Sequence, residues 1–188
     1  MEEEIENKPK LNFKEYLNRN KKKILGVTSF IILIVFVIII MNEIQKKQNI
    51  EISKDYNMAK ILIEKESFNE AVNILENIIN QNNIFYSPSA LNLIIDNNLI
   101  KEKTKVLSYF DQIIFKVKLD QETKNLFIFK RILFIGDEIE ENELISGLKP
   151  ILNSDSLWKK TVIDYIKKYY LSRGELNKAK EFETTIIK

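Results

Sequence analysis

The hydrophobic positions of this chain follow two different patterns. Residues 24–41 form a mostly apolar stretch without a charged side chain, and lysines flank it on both sides. From about residue 43 onward, apolar residues recur every three or four positions, which is typical of helices with one buried face. No stretch alternates apolar and polar residues with a period of two, so we expect no β-sheet. The patterns predict an all-α protein.

The apolar stretch is long enough to cross a membrane. As a helix, residues 24–41 would cover about 27 Å, close to the roughly 30 Å hydrocarbon core of a bilayer. Three interpretations compete: a retained anchor, a cleaved export signal and the buried helix of a soluble domain. We favour the anchor, because the sequence "MNEIQKK" after the stretch lacks a small-residue cleavage site. A soluble helix would also usually have a polar face.

The distribution of basic residues predicts the orientation of this transmembrane helix. Arg19, Lys21, Lys22 and Lys23 precede the stretch as a tight cluster, and such clusters tend to stay in the cytoplasm. We therefore expect residues 1–23 to be a cytoplasmic tail with a basic juxtamembrane segment and residues 42–188 to lie across the membrane. The abundance of Ile, Asn and Lys suggests an AT-rich bacterial genome, which places the chain in a bacterial inner membrane and residues 42–188 in the periplasm.

Turn and capping signals divide residues 42–188 into about four helical hairpins. We expect the turns at Glu66–Ser67, Asn97–Asn98, Gly136–Asp137 and Arg173–Gly174. The first pair joins a helix through Ile52–Ile63 to one that starts with a capping box at Ser67–Glu70. Ser87 followed by Pro88 predicts the start of the next pair, and Pro150 should kink or end a later helix.

The hairpins recur at roughly 35 residues, near the 34-residue period of tetratricopeptide repeats. In that repeat, small residues allow the two helices of a hairpin to approach closely. The segments "AKILIEKESFNEAVNIL" and "YYLSRGELNKAKEF" carry this resemblance. Its predicted packing positions are Ala59, Phe68, Ala71, Gly174, Leu176 and Ala179.

The residue inventory argues against catalysis and against cofactor or metal binding. The chain contains no His and no Cys, and its four Gly are too far apart for a phosphate-binding loop. The acidic segment Asp137–Glu143 could bind calcium, but its spacing matches no calcium loop and acids favour a helix N-terminus. We therefore predict no enzyme, no metal and no cofactor.

The charge balance argues against a nucleic-acid partner. The first 41 residues hold seven of the 29 Lys and Arg and five of the 27 Asp and Glu. Equal numbers of basic and acidic residues therefore follow Met41, whereas nucleic-acid binding needs a basic surface.

Four aromatic residues gather near the C-terminal end of the sequence. Trp158, Tyr165 and Tyr169 share one helical face, so we assign them to the core of the last hairpin. Tyr170 points elsewhere on the helix, and we predict it to be an exposed contact for a protein partner.

The whole arrangement resembles one bacterial family. A short basic and aromatic segment ("NFKEYLNRNKKK"), one transmembrane helix and degenerate helical repeats are similar to the single-span, tetratricopeptide-repeat-like ancillary subunit of the Sec translocon. The resemblance implies a non-enzymatic interaction module that contacts translocon subunits and passes exported proteins to periplasmic chaperones. A periplasmic repeat scaffold that coordinates envelope or cell-division complexes is the main alternative. A rod-like stalk, as in rotary ATPases, fits the turn signals less well.

Overall fold

A computed structural model describes residues 20–184 of the chain. This part contains eight α-helices, a short 3₁₀ helix at Gly136–Glu138 and no strand, which confirms the all-α prediction for these residues. The helices are α1 (Lys21–Glu64), α2 (Phe68–Asn80), α3 (Tyr86–Asp96), α4 (Lys103–Lys116), α5 (Gln121–Ile135), α6 (Glu141–Leu152), α7 (Lys159–Ser172) and α8 (Leu176–Thr184). The chain divides into two units after Glu51.

The first unit contains the apolar stretch predicted to be the anchor. The stretch lies in α1, which is long and apolar enough to cross a membrane: its most apolar 18 residues have a mean hydropathy of 3.2. None of that window is buried in the structure. A core helix of a soluble protein would be mostly buried, so this observation favours the anchor or export-signal interpretation. Arg19, one of the four predicted topology determinants, lies outside the described residues, whereas Lys21, Lys22 and Lys23 are exposed on α1.

In the second unit, each helix from α2 to α8 packs against the next one along the chain. The loops therefore alternate between two ends of the array. Gln112 on α4 donates to the carbonyl of Ile79 near the end of α2 (3.1 Å). At the opposite end, Lys103 donates to the carbonyl of Ile135 at the end of α5 (2.9 Å). We call the end of the array near Gln112 and Ile79 the entry end. The rings of Tyr56 on α1 and Tyr86 at the start of α3 also meet there, 5.7 Å apart. The other is the far end.

Two hydrophobic clusters form the core of this unit. The first gathers side chains from α1 to α5, among them Leu75, Leu91 and Phe110. The second gathers side chains from α5 to α8, with Leu148 and Ile166 at its centre. Leu107 and Ile128 are partly buried against both clusters and connect them. Burial of these apolar faces is the main force that holds the helices together.

The helix ends explain why the turns lie where they do. Backbone φ is positive at Glu66, Asn82, Asn98, Gly136 and Gly174, each one or two residues after a helix. Several of these ends close with a reverse hydrogen bond of the Schellman type. For example, the amide of Glu175 donates to the carbonyl of Tyr170 (2.9 Å).

Two details of the predicted helix starts are wrong. Ser67 is the N-cap residue of α2, but its side chain makes no capping hydrogen bond, so the capping box is not formed. Helix α3 begins at Tyr86 rather than after Ser87. Ser87 is fully buried, and its hydroxyl donates to the carbonyl of Ile78 (2.7 Å), which ties the first turn of α3 to α2.

The pairing of the first helices also differs from the prediction. Helix α2 packs extensively against α3 and much less against the C-terminal part of α1. The predicted hairpin of Ile52–Ile63 with α2 is therefore not a closely packed pair. Pro150 lies inside α6, and the helix ends two residues later at Leu152, which agrees with the prediction that Pro150 would kink or end it.

Candidate functional site

Helices α4, α5 and α6 form an open groove in the described part of the molecule. It has a volume of about 740 Å³. Its lining comprises Asp111, Ile114, Phe115, Gln121, Lys124, Ile128, Arg131, Ile132, Ser146, Gly147 and Pro150. We call this feature the α4–α6 groove.

The floor of the groove is apolar and firmly packed. Ile114 and Ile132 are almost fully buried and belong to the first and second core clusters, respectively. Gly147 allows α6 to lie close to α5, because a Cβ atom at this position would be 3.0 Å from Cδ1 of Ile132. Any larger residue would force Ile132 to move. The floor therefore takes its shape from core residues and from one glycine.

The rim of the groove combines an exposed aromatic ring with charged groups. Phe115 is 75% exposed, which is unusual for so large an apolar side chain. The Nζ atom of Lys124 lies 6.0 Å from the centre of its ring, a distance at which a cation is attracted to the ring face. The rim can thus offer both apolar contact and positive charge to a ligand.

Arg131 connects the three helices of the groove. Its Nε donates to Oδ1 of Asp111 on α4 (2.8 Å) and its Nη1 to Oε1 of Glu143 on α6 (3.3 Å). The arginine side chain is partly buried, whereas both carboxylates are largely solvated. Ion pairs of this exposure contribute little stability, but they place one cation between the two carboxylates at the groove rim.

The groove contains no arrangement typical of catalysis. The sequence lacks His and Cys, and the carboxylates of Asp111 and Glu143 both form ion pairs with Arg131. Residues 20–184 include no group of three acidic side chains that could hold a metal ion. The arrangement is suited to holding apolar side chains on its floor and polar or charged groups at its rim.

In the acidic segment Asp137–Glu143, considered above as a possible calcium site, three carboxylates pair with three different basic residues. Glu138 pairs with Lys103, Glu143 with Arg131, and Glu141 with Lys178. The Lys178 ammonium, which donates to Glu141, lowers the pKa of that carboxyl group. The same hydrogen bond raises the pKa of Lys178. These carboxylates hold the far end of the array together.

The prediction that Tyr170 is an exposed partner contact is wrong. Tyr170 is only 3% exposed, its ring stacks on Phe182 at 5.9 Å, and its hydroxyl donates to Glu141 (3.1 Å). Burial, reinforced by the bond to Glu141, raises the pKa of Tyr170 to about 12. Tyr165 and Tyr169, which were assigned to the core, are only half-buried at its edge. The core face of α7 is centred on Val162, Ile163, Ile166 and Tyr170.

The six predicted repeat-packing positions fall into three groups. Ala59, Ala71 and Ala179 are buried, although α1 and α2, which carry Ala59 and Ala71, do not form a closely packed pair. Gly174 lies in the α7–α8 turn with φ of +75°. Phe68 and Leu176 are 45% and 60% exposed, so the prediction that they pack inside hairpins is wrong. Both are the first residues of their helices and turn outward.

A second, smaller cavity of about 480 Å³ lies at the far end. It is lined by Asp137, Tyr165, Lys168, Tyr169, Ser172 and Arg173. The guanidinium of Arg173 stacks on the ring of Tyr169 at 4.3 Å and donates to the carbonyl of Asp137 (3.0 Å). These groups are used to join the α7–α8 turn to the α5–α6 loop, so we regard the cavity as structural.

Comparison of the chain with protein-family models, curated proteins and solved structures gave no match. The function is therefore argued from the residues of the groove and from α1. The sequence contains one signal for the groove, which the helix predictions did not use. Phe115 lies off the apolar stripe of α4, whose buried positions include Phe110, Ile113 and Ile114.

Proposed function

We propose that the chain is a membrane-anchored protein-interaction module whose α4–α6 groove binds an apolar segment of a partner polypeptide. The observation that carries this proposal is the apolar floor of the groove beside an exposed aromatic ring. Grooves between packed helices commonly bind amphipathic segments in this way. Helix α1 would hold the module at a membrane through residues 24–41, with lipid around its exposed apolar side chains.

We further propose that the anchor is retained and lies in a bacterial inner membrane, with the N-terminus in the cytoplasm and residues 42–188 in the periplasm. The lysine cluster at Lys21–Lys23 supports this orientation. A reporter that is active only in the periplasm, fused after Lys188, should be active. An inactive reporter, together with an active cytoplasmic one, would refute the orientation.

The setting that we propose is the Sec translocon, where an apolar segment of a newly exported protein would occupy the groove before its transfer to periplasmic chaperones. This proposal rests on the resemblance in architecture: one transmembrane helix followed by tetratricopeptide-repeat-like helices. The chain would act as a non-enzymatic ancillary subunit.

Site-specific crosslinking tests the setting directly. A photoreactive amino acid in place of Phe115, at the groove rim, should capture translocon subunits and a pulse-labelled exported protein in cells. The matched position is Leu176, which is also well exposed but lies outside the groove lining. Equal capture at both positions would refute the groove as the site. Capture of division or cell-wall proteins alone would instead support an envelope scaffold.

A pair of serine variants tests the groove without disturbing the core. Ser146 and Ser108 are both exposed, and each donates to the carbonyl three residues earlier in its helix. Only Ser146 lines the groove. Ser146→Phe should therefore fill the groove and lower crosslinking to the exported protein, whereas Ser108→Phe should not. Loss of crosslinking in both variants would indicate a general defect and contradict the assignment.

A further inference from the structure

Three successive loops at the entry end of the second unit expose large apolar side chains. They are Ile84 and Phe85 in the α2–α3 loop, Phe115 at the end of α4, and Leu157 in the α6–α7 loop. Leu157 is 85% exposed, the highest exposure among the large apolar residues of residues 20–184. Large apolar side chains are less exposed at the far end, where Phe68 and Leu176 are 45% and 60% exposed. The entry end is therefore the more apolar of the two, and exposed apolar patches often mark contact sites.

Hydrogen bonds and ring contacts connect these loops across the entry end. Gln112 donates to Oδ1 of Asn82, which joins α4 to the α2–α3 loop (3.2 Å). Lys124 at the start of α5 lies over the ring of Phe115. Glu122 on the same helix accepts from the hydroxyl of Ser156 and from the backbone amide of Leu157, both at 3.0 Å. The loops therefore form one continuous surface.

The loop conformations are fixed by side chains that leave the apolar tips pointing outward. Oδ1 of Asn83 accepts from the amides of Phe85 (3.0 Å) and Tyr86 (2.9 Å), which holds the α2–α3 loop. Glu122 does the same for the α6–α7 loop. Holding the loops in place lowers the entropy that would be lost when the tips contact a partner.

Basic residues accompany the apolar tips. Lys116 and Lys118 flank the α4–α5 loop, and Lys159 and Lys160 begin α7. Three acidic residues share this end: Asp120 caps α5, Glu122 holds the α6–α7 loop and Asp155 lies in that loop. With Lys124 included, five lysines face these three carboxylates. Apolar side chains next to lysines are typical of surfaces that bind anionic lipid headgroups and the outer acyl chains.

The segment between the apolar stretch and the second unit is short. Ile52, the first residue of the second unit, precedes Tyr56 by one helical turn and belongs to the same core cluster. Only ten residues separate Met41 from Ile52. Even a fully extended chain would keep these two residues within about 40 Å.

We propose that the entry end docks on the surface of an anionic lipid bilayer, with Ile84, Phe85 and Leu157 inserted at the headgroup level. This inference rests on the proposed anchor, because the anchor supplies the high local concentration of lipid. The inserted residues Ile84, Phe85 and Leu157 do not line the α4–α6 groove, although Phe115 belongs to both surfaces. Docking would hold the array in one orientation at the membrane rather than leaving it free on a tether.

The absence of cysteine allows a direct test on the full chain. Single cysteines at Ile84, Leu157 and Leu176 are labelled with an environment-sensitive fluorophore, and each variant is reconstituted into vesicles that contain anionic lipid. Leu176 is the matched control, since it is similarly exposed but lies at the far end. Labels at Ile84 and Leu157 should emit at shorter wavelength in vesicles than in detergent and lose access to an aqueous quencher. The label at Leu176 should remain accessible.

The outcomes separate this inference from the proposed anchor. If the protein fails to float with the vesicles, the anchor is wrong and the inference falls with it. If the protein floats but labels at Ile84 and Leu157 are as accessible as that at Leu176, docking is refuted and the anchor stands. Protection in native membranes but not in pure lipid vesicles would assign this end to a protein partner and refute lipid docking.

Discussion

Replacing Tyr170 by alanine should strongly destabilise the C-terminal half of the helical array. The ring is almost fully buried, stacks on Phe182 and makes an edge contact with Tyr169. Truncation of a buried aromatic side chain to alanine typically costs about 3–5 kcal/mol. The packing of α8 on α7 depends on this ring, so we expect Tyr170→Ala to lower the free energy of unfolding by an amount within that range.

The single tryptophan makes the measurement simple. Trp158 packs against the second core cluster, to which Tyr170 belongs, so its fluorescence follows unfolding of the relevant half. With a urea dependence of about 2 kcal/mol per molar, the loss should lower the midpoint by about 2 M. The full chain would be kept in mild detergent throughout the titration.

Two control variants separate burial from other effects. Leu171 is the neighbouring residue and is half exposed, so Leu171→Ala should change the free energy of unfolding by less than about 0.5 kcal/mol. Tyr170→Phe keeps the ring stacked on Phe182, so its free energy of unfolding should fall far less than that of Tyr170→Ala. If Tyr170→Ala and Leu171→Ala were equally mild, Tyr170 would be a surface residue and the placement of α8 would be wrong.

Three further substitutions test other parts of the fold by the same urea titration. Gly174→Ala should cost about 1–2 kcal/mol because φ is +75°; no neighbouring atom blocks the new methyl group, so a neutral result would contradict the left-handed turn. The hydrogen bond from Lys178 lowers the pKa of Glu141. The carboxyl group of Glu141 therefore binds a proton less tightly in the folded chain than in the unfolded chain. The stability that the bond confers is lost as pH falls below about 5 and through the lowered pKa. Glu141→Gln should therefore show a weaker loss of stability between pH 5 and 3, roughly the range of carboxyl titration; an unchanged pH profile would refute this linkage. Ser87→Ala should cost about 1–3 kcal/mol, because its buried hydroxyl donates to the carbonyl of Ile78 and accepts from the amide of Asn83; a stability equal to that of the parent would show that these bonds contribute nothing.

The sequence predicted the helices well because their periodicity is a local property. The buried positions of α2 lie on the apolar stripe that includes Leu75, Ile78 and Ile79. The turns at Asn98, Gly136 and Gly174 were equally predictable, since each has positive φ after a helix end and carries a residue that tolerates it.

Residues whose role depends on distant partners were harder to predict. Tyr170 can be buried because Glu141, 29 positions earlier, accepts a hydrogen bond from its hydroxyl group. Without that partner, a tyrosine beside Tyr169 is reasonably assigned to either face of the helix. The role of Ser87 depends on a distant partner in the same way, because its hydroxyl donates to the carbonyl of Ile78 on α2 and does not cap its own helix.

The groove depends on tertiary packing even more strongly. Its lining comes from three helices, and its depth follows from the close approach of Gly147 to Ile132. Helix periodicity indicates which faces are buried, but the angles at which neighbouring helices cross decide where a gap remains. Only the exposed Phe115, off the stripe of α4, could have been singled out beforehand.

The boundary between the two core clusters has a thermodynamic consequence. Phe127 belongs to the first cluster and Phe129 to the second, so the boundary crosses α5 within a single turn, in the helix that also provides the centre of the groove. A ligand that touches Ile114 and Ile132 together contacts both halves of the fold. Its binding energy would therefore be available only when both halves are folded at once. Affinity at the groove should consequently respond to substitutions deep in either core, even though those residues never touch the ligand.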